Sequence, residues 1–220
     1  MNKVIARMLV MLVMLAGLGA QAHASPNTGE IRGTVTVKGR ATSAGVLVYL
    51  EGIAEEPAAP KGHAVVKQRD KQFDPPVTIV VRGTTVDFPN EDKIFHNVFS
   101  VSRPARFDLG LYKSGTTKSV EMSRAGTVDV YCNIHSEMVA KVKVLDNAYY
   151  ATTDHQGRFR ITGVPAGDIP LVAWLPTGDQ AAATVTVQPG QVTDVKLAVT
   201  AVEKRETHTR KDGTPYGRYK

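Results

Sequence analysis

Downstream of residue 25 the apolar residues fall in short alternating runs closed by Gly, Pro, Asn or Asp, and helical spacing is nearly absent. A period of two broken by turn residues leaves β-sheet as the regular structure open to this chain. Strands are predicted over residues 30–37, 46–50, 64–68, 77–81, 84–88, 97–101, 117–122, 127–131 and 139–145, then over 157–162, 169–174, 182–187 and 194–200. Turn clusters such as Lys38-Gly39-Arg40, Arg82-Gly83 and Pro165-Ala166-Gly167 separate apolar runs. This is too many strands for one small sandwich, so an all-β chain of two sandwiches is expected, the second smaller than the first.

The amino terminus has the form of an export signal: Lys3 and Arg7, an apolar stretch from Met8 to Ala20, then Ala22-His23-Ala24. The stretch falls short of the ~20 apolar residues a membrane helix needs. Residues 1–24 are therefore read as a signal peptide and the protein as periplasmic, with no membrane span. Losing Lys3 and Arg7 lowers the formal charge from +6 to +4. Much of the remaining excess sits in residues 203–220, a polar, basic stretch whose composition predicts a disordered tail. The body has no basic stripe interleaved with aromatics, which argues against a nucleic-acid partner.

Export makes the cysteine count informative. Cys132 is the one cysteine, so no internal disulfide can form, and a lone thiol in an oxidising compartment survives if it is buried or held by a metal. It lies in Tyr131-Cys132-Asn133-Ile134-His135-Ser136-Glu137-Met138, where thiol, imidazole and thioether recur every third residue. Soft sulfur with imidazole suits a mononuclear electron-transfer copper site, and His96 in Phe95-His96-Asn97-Val98 is the candidate for a fourth donor. Zinc is a weaker rival, because a thioether adds little to a zinc site. A catalytic thiol is weaker still, since no acid or oxyanion partner accompanies it. Isolated His63, His155 and His208 are read without metal roles, Met122 as core filler, and Tyr131 and Trp174 as packing residues.

Together, Phe88-Pro89-Asn90, His96-Asn97-Val98 and Tyr131-Cys132-x-x-His135-x-x-Met138 resemble the type 1 blue-copper cupredoxins of the plastocyanin, pseudoazurin and amicyanin kind. The resemblance implies a Greek-key sandwich holding one type 1 copper. It implies His96, Cys132 and His135 as in-plane metal ligands, Met138 as a weak axial one, and Asn97 bracing the cysteine loop by hydrogen bonds. It also implies one-electron transfer through the edge of His135 to redox protein partners. With one cysteine and no paired His-x-His motifs, a dinuclear centre or oxygen chemistry at further coppers is not expected, so no enzymatic activity is assigned. The alternative function is a copper-binding or copper-handling module without electron-transfer turnover.

A second resemblance rests on Thr152-Thr153-Asp154-His155-Gln156-Gly157-Arg158-Phe159-Arg160-Ile161, on Val164-Pro165-Ala166-Gly167 and on Thr184-Val185-Thr186-Val187. These are similar to the carboxypeptidase-regulatory-like, transthyretin-like sandwich. That module starts with a strand, a Gly turn and a strand, and the matching segment, Gly29 to Leu50, lies before the copper motifs. The expected organisation is a first hairpin in residues 25–56 that joins the second sandwich, a copper domain in 57–146, the second sandwich in 147–202 and the tail in 203–220. A simple tandem, with the hairpin in the copper sandwich, is the rival. The two differ in which strands residues 46–50 pair with.

Overall fold

The computed structural model describes residues 27–53, 62–202 and 208–216, and every regular element among them is a β-strand. The predicted signal peptide, residues 1–24, lies outside the described residues. No helix of the described residues is long and apolar enough to cross a membrane.

Two strands come first, β1 (Thr28–Lys38) and β2 (Leu47–Leu50). Ten follow: β3 (Ala64–Val65), β4 (Lys67–Arg69), β5 (Gln72–Asp74), β6 (Val77–Val81), β7 (Thr84–Pro89), β8 (His96–Ser100), β9 (Phe107–Tyr112), β10 (Thr117–Met122), β11 (Gly126–Tyr131) and β12 (Val139–Leu145). The last five are β13 (Tyr150–Thr152), β14 (Arg158–Pro165), β15 (Gly167–Trp174), β16 (Gln180–Val187) and β17 (Val192–Thr200). All thirteen predicted strands have a counterpart, residues 64–68 being split into two. The sequence reading passed over β5, β9 and β13. In β9 the apolar residues Phe107, Leu109 and Leu111 alternate with Asp108 and Gly110, and Gly110 takes a positive φ of 67° opposite a register shift in β8. The bulge turns Leu111 out to solvent, 57% exposed.

The middle strands form a five-stranded sheet, β6-β12-β11-β8-β9, and a three-stranded sheet, β10-β7-β3. Val86, Phe88, Val98, Val128, Val130, Val142 and Val144 fill the core between them. Burial of each contributes about 1.5–3 kcal/mol relative to exposure. The flanking strands build the other two sheets, β14-β1-β17 and β13-β2-β15-β16. β1 pairs in parallel with β17 and antiparallel with β14, while β2 lies between β13 and β15, both beyond residue 146.

The continuous apolar runs Val46 to Leu50 and Leu171 to Leu175 have a direct physical reading. Strands buried on both faces lose the alternation that one wet face imposes. In β2, Val48 and Leu50 enter the core of their own sandwich, and in β15 Leu171 and Ala173 do the same. Leu47, Tyr49, Val172 and Trp174 point the other way and pack with Leu145, Val77 and Ile79 from the copper-motif body. Lys143 of β12 is buried in this seam, its Nζ 4.9 Å from the Tyr49 ring centroid and 5.2 Å from that of Trp174. Two aromatic faces thus accept a cation withdrawn from water.

Candidate metal centre

The cysteine loop is set by strand register. β11 pairs with β12 from Gly126↔Val144 to Tyr131↔Val139, which leaves Cys132 opposite Met138 at the mouth of the hairpin. The Cys132 amide donates to the Met138 carbonyl at 3.3 Å, and the Met138 amide to the His135 carbonyl at 3.2 Å. On its other side β11 meets β8 through Tyr131↔Phe99, so the start of β8, where His96 lies, runs toward the loop.

The result is a compact donor cluster. Cys132 Sγ is 3.8 Å from His96 Nδ1 and 3.6 Å from His135 Nδ1. Two donors held by one ion at about 2.0 and 2.3 Å, opening about 120°, are about 3.7 Å apart, so these separations fit a shared first-row metal. Among the described residues this is the one group of three or more His, Cys, Asp or Glu placed to hold a metal. His96 and Cys132 are fully buried and His135 is half-buried, with the two imidazoles 4.9 Å apart between centroids. Burial, then the neighbouring His96, pushes the His135 imidazole below its ordinary value, which favours the neutral ring a metal requires. Met138 is fully buried in the same core cluster as Cys132.

The loop into β8 holds His96 in place. Asn90, buried, donates through Nδ2 to the carbonyls of Ile94 (2.9 Å) and Tyr112 (3.2 Å), and its Oδ1 accepts the Asp92 amide at 3.0 Å. Asp92 Oδ2 lies 2.7 Å from His96 Nε2. A carboxylate in this position accepts, so Nε2 carries the proton and Nδ1 turns its lone pair toward Cys132. The same carboxylate accepts the amides of Asp70 (2.7 Å) and Lys71 (2.9 Å), the two-residue turn between β4 and β5. Both take positive φ, 53° and 55°, the turn that suits a two-residue hairpin. Burial works to raise the Asp92 carboxyl, but these amides and His96 together hold it below the usual carboxylate range.

Asp92 was not found by sequence reading. The available signal was an acid four residues before a candidate histidine, too common to single out. The expectation for Asn97 is corrected: its Nδ2 donates to Asp108 Oδ1 of β9 at 2.7 Å, not to the cysteine loop, and its Oδ1 is buried without a hydrogen-bond partner among the described residues. The tail is corrected in part as well. Residues 208–216 are placed against the cysteine loop, with the His208 ring stacked on Tyr131 at 4.4 Å. Composition indicated disorder because the apolar partner of this segment lies on another domain. Met122 is core, fully buried, and Trp174 packs in the seam between the sandwiches.

The chain is similar to several known proteins. Amicyanin-alpha of Methylorubrum extorquens is 32% identical over 107 residues, 47% of this chain and 87% of that protein. A reduced amicyanin variant of known structure is 25% identical, covering 44% of this chain and 97% of its own, with a TM-score of 0.36. A purple cupredoxin from Nitrosopumilus maritimus is 22% identical over 37% of this chain and 98% of its own, with a TM-score of 0.34. Residues 139–200 match the family described as carboxypeptidase regulatory-like domain. That match includes β12, which lies in the five-stranded sheet of the copper-motif body, and excludes β1 and β2, which complete the other sandwich.

Proposed function

The chain belongs, over 47% of its length, to the amicyanin family of cupredoxins, and from that premise we propose that it is an exported, periplasmic protein with one type 1 copper that carries single electrons between redox protein partners. In this reading His96 Nδ1, Cys132 Sγ and His135 Nδ1 would hold the copper, and the Met138 thioether would be a weaker further donor. Copper, when bound, supplies a one-electron couple. The chain supplies a cluster already assembled on two paired strands and their loop, so little rearrangement accompanies a change of charge. Cys132 and His96 are shut off from water, whereas His135 keeps an exposed edge, the side on which a partner protein approaches.

The observation that carries the reading is the separation of Cys132 Sγ from the two Nδ1 atoms, 3.8 and 3.6 Å. The test is the visible spectrum after adding copper(II) to wild type and to Cys132→Ser. A strong thiolate-to-copper charge-transfer band in the first and none in the second is expected; matching spectra overturn the ligand assignment. Reversible reduction with the metal retained supports electron transfer, and loss of copper on reduction would instead favour a copper-handling role.

The domain arrangement in this reading is a cupredoxin set within the sequence of the regulatory-like sandwich. Its support is that β1 and β2 are interior strands of the two flanking sheets, paired with β14, β17, β13 and β15. Residues 147–202 alone would leave both sheets without a central strand.

A further inference from the structure

The carboxyl-terminal segment makes contacts that neither sandwich requires. After β17, Val202 still donates its amide to Thr177 of the regulatory-like sandwich. Residues 208–216 then lie on the copper-motif body and hold three successive residues of it. The His208 ring stacks on Tyr131, tilted by 23°, and lies 5.9 Å from the Phe99 ring centroid. The Tyr216 hydroxyl donates to the Cys132 carbonyl at 2.7 Å. The Lys211 amide donates to Asn133 Oδ1 at 2.9 Å.

The segment is itself ordered by short-range bonds. Arg210 and Thr214 close a turn through Arg210 N to Thr214 O at 2.8 Å, and Asp212 Oδ1 accepts both the amide and the hydroxyl of Thr214. Gly213, at φ 83°, occupies the left-handed position of that turn. The Arg210 guanidinium lies 5.5 Å from the Tyr216 ring centroid and the His208 ring meets Tyr216 edge-on, so the two aromatic contacts are mutually supported.

Lys211 has a second role that explains the displaced bond of Asn97. Its Nζ pairs with Asp108 Oδ2 at 2.5 Å, while Asp108 Oδ1 accepts Asn97 Nδ2 and the Gly110 amide. The path therefore runs Asn97, Asp108, Lys211, Asn133. It joins the residue after His96 to the residue after Cys132, and it passes through the tail.

We propose that residues 208–216 are a positioning segment for the metal site, in which Tyr216 holds the Cys132 carbonyl and Lys211 bridges Asp108 to Asn133. This rests on the type 1 copper reading above. The segment orients the cysteine loop and excludes water from the flank of Cys132. Burial and hydrogen bonding around the thiolate tune the potential of such a site. Admitting water favours the oxidised form, which carries one more positive charge, so loosening the segment lowers the reduction potential.

The test uses full-length protein: wild type, Tyr216→Phe, the triple variant His208→Ala, Lys211→Ala, Tyr216→Phe, and a version of the triple restoring only Lys211. The readouts are the reduction potential, the charge-transfer band, and amide exchange of residues 132–138 in metal-free protein. The triple variant is expected to keep the band but shift it, to have a lower potential, and to exchange loop amides about tenfold faster, the loss of roughly one net hydrogen bond. Tyr216→Phe shows the same changes in smaller measure, and restoring Lys211 recovers part of each. If wild type is blue and potential, band and exchange are unchanged in the variants, the positioning role is wrong while the copper reading stands. If wild type shows no thiolate band, the copper reading fails, and metal-free exchange rates still decide whether the segment holds the loop.

Discussion

Asp92 Oδ2 lies 2.7 Å from His96 Nε2 while its carboxylate also accepts the amides of Asp70 and Lys71, so one side chain couples a left-handed hairpin turn to a metal-ligand candidate. The left-handed conformation at two non-glycine residues costs about 1–2 kcal/mol per residue. Charge-assisted hydrogen bonds of about 1.5–3 kcal/mol each offset it. The arrangement secures the imidazole tautomer that leaves Nδ1 for the metal.

Replacing that carboxylate removes the orientation without touching a ligand. Asp92→Ala is expected to weaken copper binding about 10- to 100-fold, the usual cost of losing such an outer partner. Competition titration against a chelator of known affinity measures it. An unchanged affinity would show that packing alone orients His96.

Met138 is fully buried beside the sheet core, so a leucine of similar volume fits at a stability cost of less than about 1.5 kcal/mol. In the proposed site, losing the Met138 thioether would remove a donor that favours the oxidised ion. Met138→Leu is therefore expected to raise the reduction potential while leaving the charge-transfer band in place. Voltammetry and visible absorption on the same sample check both parts.

Trp174 is the one tryptophan in the chain and lies on β15, whereas the thiolate band would report on the other sandwich. Ile31 of β1 is fully buried in the core that contains Leu171 and Val199. Ile31→Ala should cost about 2–5 kcal/mol. Its effect should appear as an earlier denaturation midpoint by Trp174 fluorescence, more than by the copper band. A shift confined to the copper band would assign β1 to the cupredoxin instead.

Asp87 of β7 sits opposite Ser119 of β10, and the Ser119 hydroxyl, aided by the His63 ring, holds its carboxyl below the ordinary range. A carboxylate depressed on folding contributes stability that is complete above its unfolded value, about 3.9, and is lost as pH falls through the lower folded value. Thermal melts of wild type and Asp87→Asn should differ by a constant amount near neutrality and converge below about pH 4. A gap that persists at low pH would mean that the asparagine disturbs packing instead.

Much of the donor set was legible because it is local. Cys132, His135 and Met138 occupy one loop, and the spacing of sulfur and imidazole along seven residues states its chemistry before any fold is known. The two-sided runs around Val48 and Val172 were also visible, but a continuous apolar run says only that both faces are covered. It took the sheet order to show that one face of β2 meets its own core and the other meets Leu145 and Val77.

The strand β9 was passed over although Phe107, Leu109 and Leu111 alternate, and its Asp108 proved to be the residue that receives Asn97. Tail residues His208, Lys211 and Tyr216 read as solvated polar sequence, since nothing near them in the chain is apolar enough to bury them. Tyr216 reaches the Cys132 carbonyl across 84 residues of sequence.

By itself, the sequence determined an all-β chain and the chemical character of its cysteine loop, because alternation and donor spacing act between near neighbours. Only the tertiary structure decided that His96 Nδ1 meets Cys132 Sγ, that Asp92 orients that imidazole, that β1 and β2 pair beyond the central strands, and that the tail lies on Tyr131. Those depend on strand register and on packing between segments far apart in the chain, which no local pattern of residues encodes.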